Sequence, residues 1–144
     1  MLRDIIPVIP VLIVSLSACA VLLAEAFRRR GEWMPVGWLA LIGVMGGLVT
    51  SAALWNRNAV GFGVLVLDNF AIFFNVLICG IGLLTILMSS GTAERDELPL
   101  GEYYALVLFA LAGMMLMAST RDLLIVFIGL EVMSLSVYVL TSLK

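Results

Sequence analysis

The residue with the most chemical potential is a carboxylate placed where carboxylates are costly. Glu131 is the ninth residue of a 21-residue run, 123–143, that is otherwise free of charge. A helix over that run rises about 1.5 Å per residue and carries Glu131 about 12 Å in from one end. That is near the middle of a hydrocarbon core about 30 Å thick. An acidic residue at such depth costs on the order of 2.5–3.5 kcal/mol on insertion scales, and intramembrane acids mark proton and ion routes. Successive residues turn by about 100°, so Ser134, Tyr138 and Ser142 fall in a narrow arc around Glu131, with Thr141 at its edge. Leu124, Phe127 and Ile128 occupy the other half of that face. A polar stripe on one side of Glu131 and an apolar seal on the other is the geometry of a half-channel, in which a proton reaches the carboxyl from one surface. The plainer alternative is a packing role, with Glu131 in an interhelical ion pair. No basic residue of these 144 lies at comparable depth, so such a partner would come from outside the chain.

Composition removes most other chemistries. The chain has no His, which excludes a His-ligated metal, haem ligation by His and a Ser-His-Asp relay. Its two cysteines, Cys19 and Cys79, fall short of the four thiolates of an iron–sulfur cluster. Each lies inside an apolar run and reads as a small core residue. Gly61 and Gly63 are followed by Val66 where a dinucleotide-binding fingerprint needs its third glycine. A net charge of −2 leaves no electrostatic footprint for nucleic acid. No cofactor or metal site is therefore expected in the chain itself.

The elements that must hold Glu131 follow from hydropathy. Hydrophobic residues make up 63% of the chain and charged ones 12%, against about 25% charged in a soluble domain. Mean hydropathy is +1.19. Besides 123–143, charge-free runs cover 5–24, 33–56, 69–93 and 103–120. Backbone groups cannot go unpaired in lipid and the runs lack strand alternation, so each reads as a helix. The expected fold is an all-α membrane protein, one bundle of about five transmembrane helices near 5–27, 33–56, 65–90, 101–119 and 122–143. Pro7, Pro10, Pro35 and Pro99 sit at or near helix starts, where a missing N–H is tolerated. Residues 119–122, Ser-Thr-Arg-Asp, match a capping box ahead of the fifth helix.

Basic residues set the expected orientation. With the N-terminus outside, the inner side holds Arg28, Arg29, Arg30, Arg95 and Lys144, and the outer side Arg3, Arg57 and Arg121. The arginine cluster favours N-outside and C-cytoplasmic. In that orientation the polar stripe runs from Glu131 toward the inner surface. Leu16, Ser17, Ala18 and Cys19 mimic a lipoprotein cleavage box. Asp4 spoils the basic start and apolar sequence follows Cys19, so the first helix is taken as retained.

Other residues carry plainer expectations. The remaining acids lie in loops or near helix ends; Asp68 and Glu102 open helices, where a carboxylate caps or complements the dipole. Gly43, Gly46 and Gly47, and on the next helix Asn75, Cys79 and Gly82, read as close-packed interfaces. Met114, Met115 and Met117 read as adaptable packing. Trp33, Trp38, Trp55, Tyr103 and Tyr104 read as interfacial anchors.

Two segments carry a resemblance. The stretch 101–140, GEYYALVLFALAGMMLMASTRDLLIVFIGLEVMSLSVYVL, closely resembles the subunit N family of bacterial respiratory complex I, the NADH–quinone oxidoreductase. Residues 67–78, LDNFAIFFNVLI, also fit it. The specific part is Gly129-Leu130-Glu131 followed by Ser134, Leu135 and Tyr138; sister antiporter-like subunits have an aromatic residue in place of Gly129. Val132 departs from the leucine often found there. The resemblance implies a redox-driven proton pump of the bacterial inner (plasma) membrane, multi-pass. It makes Glu131 the proton carrier of a mid-membrane charged axis, with a lysine on a seventh helix as partner; the helical stripe of Ser134, Tyr138 and Ser142 would be its proton path. NADH, FMN, iron–sulfur clusters and quinone are implied in partner subunits, so this chain would be a non-redox subunit of the enzyme. Its implied partners are the lipid bilayer and other membrane subunits of complex I, sister antiporter-like subunits among them. Members of the family carry many more helices than 144 residues hold. The chain is therefore expected to be the N-terminal part of a longer antiporter-like subunit, and alone not catalytic.

Two further readings stand beside this one. One is a small standalone proton-coupled membrane transporter; small multidrug exporters share the size and a single membrane glutamate but place it in the first helix. The other is a scaffold bundle in which Glu131 only packs.

Overall fold

The computed structural model describes residues 5, 8–27, 36–55, 59–61, 65–95, 100–120 and 122–142. Five long helices dominate it: α1 (Ile9–Phe27), α2 (Val36–Ala53), α3 (Asn69–Arg95), α4 (Leu100–Ser119) and α5 (Leu123–Ser142). Four are long and apolar enough to cross a membrane; the apolar part of α2, Gly37–Ala53, is shorter. Apolar residues cover these helices all round, as suits segments whose solvent is lipid or other helices. Arg3, Arg28, Arg29, Arg30, Arg57, Arg121 and Lys144, on which the expected orientation rests, lie outside the described residues, as do Trp33, Pro7, Pro35 and Pro99.

Helix ends differ from expectation for identifiable reasons. The second helix, expected over 33–56, runs Val36–Ala53. The third, expected from 65, starts at Asn69. Ahead of it lies a two-stranded antiparallel ribbon, β1 (Ala59–Gly61) and β2 (Leu65–Leu67), with Val60 opposite Val66. Asp68 separates strand from helix. Its Oδ1 accepts a bond from the Ala71 N–H at 2.8 Å, and an N-cap residue must leave helical geometry, so the helix cannot extend back through it. The cap of α5 is likewise Asp122, not Ser119. Asp122 Oδ1 accepts from the Leu124 N–H at 2.9 Å, while Thr120 Oγ1 accepts from the Asp122 N–H at 3.1 Å. Ser119 is the last residue of α4 and is buried.

The helix α4 is the hub of the bundle. It packs against α1, α2, α3 and α5, and 56% of its span is buried, against 11% for α5. Small residues permit the close approaches. A Cβ on Gly43 would overlap the Ser17 side chain of α1, and one on Gly47 would stand 2.9 Å from Val14 Cγ2. The Tyr103 and Ser89 hydroxyls share a hydrogen bond of 2.6 Å between α4 and α3. Tyr104, expected as an interfacial anchor, is buried against Gly37. Trp38 and Trp55 are exposed, as anchors must be. Cys79 is buried, but Cys19 is exposed, which corrects its reading as a core residue. On an all-apolar helix, neighbours and not composition decide which face is inside.

Candidate functional site

The geometry around Glu131 begins with how α5 attaches. Gly129 and Ser136 are its buried residues. Gly129 lies backbone to backbone with Gly113 of α4: a Cβ on Gly113 would be 2.7 Å from the Gly129 carbonyl oxygen, and one on Gly129 2.8 Å from the Gly113 carbonyl oxygen. Ser136 turns its hydroxyl back to the Val132 carbonyl at 2.8 Å, so the packed face exposes no free polar group there.

Two residues of helix turn the chain by about 200°, so Glu131 points about 160° away from Gly129, to the far side of the helix. It is exposed, as are Tyr138 and Ser142, while Ser134 is half-buried. Leu124, Phe127 and Ile128, the apolar half of the same face, are exposed too. The structure therefore places Glu131, Tyr138 and Ser142 on one outward face of α5, with Ser134 at its half-buried edge. Ser142 Oγ donates to the Val139 carbonyl at 2.8 Å and Thr141 Oγ1 to the Tyr138 carbonyl at 2.7 Å. Both hydroxyls are thus tied to backbone and must rotate to serve a proton. The face carries one carboxyl and a line of hydroxyls. Among the described residues no group of three or more Cys, Asp or Glu side chains is placed to hold a metal ion.

One polar group went unnoticed in the linear sequence. Ser51, Asn75 and Ser119 are buried on three different helices. Asn75 was readable as an interface residue, but its relation to the two serines appears only when the helices are laid antiparallel and matched in depth.

No family model matches the chain. It is 39% identical over 92% of its length to NADH-quinone oxidoreductase subunit N of Trichlorobacter lovleyi, covering 28% of that protein. It is 39% identical over 86% of its length to subunit N 2 of Roseiflexus castenholzii, covering 25%. A third relative, subunit N 2 of Koribacter versatilis, is 34% identical over 98% of this chain and is covered over 30%. The chain spans less than a third of the length of these curated relatives. A membrane-type bundle of helices and near-complete coverage of this chain agree: what it is similar to, along almost its whole length, is a part of NADH-quinone oxidoreductase subunit N.

Proposed function

We propose that this chain works as part of a proton-translocating membrane subunit of an NADH–quinone oxidoreductase, with Glu131 as the carboxyl that takes up and releases the proton. The observation that carries the reading is the outward placement of Glu131. A mid-span carboxylate facing lipid would be costly, whereas one covered by further helices in a polar seam is affordable and useful. The relatives are more than three times the length of their match to this chain, so they have helices to spare for that cover. Their redox chemistry belongs to other subunits. Quinone reduction there drives protonation changes here, and Ser134, Tyr138 and Ser142 lead protons to Glu131 from the inner surface. The proposed setting is a bacterial inner membrane, with the N-terminus outside and sister antiporter-like subunits as neighbours.

The assembly part of the reading is tested by purification. The full-length protein, tagged and extracted in mild detergent, is expected to co-migrate with NADH–quinone reductase activity. Migration as a separate oligomer, with no reductase activity in its fractions, would favour a standalone proton-coupled transporter instead.

A further inference from the structure

The helices α2, α3 and α4 meet in matched layers. In one, a Cβ on Gly47 would lie 3.3 Å from the Cys79 sulfur, and that sulfur is 4.0 Å from Met115 Sδ. Beyond it, toward the end of α2 and the start of α3, Leu54 and Ile72 are buried together, with Val76 against them. In the opposite direction Gly82 meets Leu111 and, toward the other helix ends, Ser89 meets Tyr103. These pairings make α3 antiparallel to both neighbours. One helical turn from the Gly47–Cys79–Met115 layer, in the direction of Leu54 and Ile72, each helix presents a polar side chain. They are Ser51, four residues after Gly47; Asn75, four before Cys79; and Ser119, four after Met115. A shift of four residues keeps a side chain on the same helix face. The three therefore converge in one layer between apolar layers.

Their polar atoms are enclosed and unpaired. Ser51 and Asn75 are 0% exposed and Ser119 is 2% exposed. The two serine hydroxyls and both polar atoms of the Asn75 carboxamide have no hydrogen-bond partner among the described residues. Four other helix hydroxyls of the bundle differ in this respect: Ser17, Thr50, Thr85 and Ser136 each donate to a carbonyl one turn back. Buried polar groups in native proteins find partners, and where the protein supplies none an ordered water with two to four polar neighbours takes that place. The chemistry here suits water better than a cation. The carboxamide offers two N–H donors as well as an acceptor, and each hydroxyl both donates and accepts. A hard cation asks for about six oxygens and would face those N–H groups.

We propose that Ser51, Asn75 and Ser119 form an internal hydration site, binding ordered water that hydrogen-bonds α2, α3 and α4 to one another. The site is independent of Glu131, which lies on the far face of α5. Cryo-electron microscopy tests it on the full-length protein in lipid nanodiscs, with whatever subunits it purifies with, at a resolution that shows waters. The expected map has non-protein density about 3 Å from at least two of the three side chains. The same density is expected to be absent in Asn75→Leu, which keeps the volume and removes the amide. An Asn75 amide bonded directly to Ser51 and Ser119 with no density between them overturns the proposal. So does density that persists unchanged in Asn75→Leu. If that variant does not assemble, Ser51→Ala takes its place, with weakened or displaced density expected, and the unsubstituted map alone can still contradict the claim.

Discussion

Glu131→Gln in the full-length protein is expected to stop proton transfer through this subunit while NADH oxidation by quinone continues. Gln keeps the size and hydrogen-bonding reach of Glu but cannot release a proton. Glu131 is exposed on α5, so the exchange leaves the packing among the described helices in place. Losing a positioned proton-transferring side chain costs on the order of 10²–10⁴ in rate, and the share of pumping that passes through this subunit should fall by about that factor. Proteoliposomes with a pH-sensitive dye, scored as protons moved per NADH, measure it. Glu131→Asp should recover part of the flux, because it restores the carboxyl about one methylene short. Unchanged pumping in Glu131→Gln would leave Glu131 only a packing role.

The second large effect is at the crossing of α4 and α5. Gly113→Ala and Gly129→Ala are each expected to destabilise the pair by about 1–3 kcal/mol, the range for forcing a methyl into a packed contact. The helix propensity gained on replacing Gly by Ala, about 1 kcal/mol, works against this and does not offset it. The reason is what the new methyl meets. Each would lie within 3 Å of a carbonyl oxygen of the facing backbone, which cannot rotate away as a side chain can. Both substitutions act on the same contact, so the double variant should cost less than the sum. Gly80 provides the control, since a Cβ there meets nothing within 4 Å. Gly80→Ala should be neutral or slightly stabilising. Denaturant unfolding in detergent micelles ranks the variants. If Gly113→Ala matches Gly80→Ala, the close backbone crossing is wrong.

That crossing also explains what could and could not be read from the linear sequence. Charge-free runs revealed the helices because an uncharged segment of about 20 residues has one stable backbone state in lipid. Helix ends were less legible, because they depend on single caps: Asp68 halts α3 short of residues 65–67, and Asp122 rather than Ser119 starts α5. The ribbon of 59–61 and 65–67 was hidden among residues read as linker and helix. Faces were the least legible. Cys19, inside an apolar run, is exposed, whereas Tyr104, at the start of a run two residues after Glu102, is buried. For Glu131 the place along the helix was legible and the direction was not. Place along a helix needs only counting, whereas direction depends on Gly129 meeting Gly113 on another helix.

The most direct test of Glu131 as a proton carrier is infrared difference spectroscopy of the full-length protein with its partner subunits during turnover. A protonated-carboxyl stretch is expected that changes when NADH is added with quinone and is missing in Glu131→Gln. An identical carboxyl signal in Glu131→Gln would contradict that role, because the proton would then be carried elsewhere.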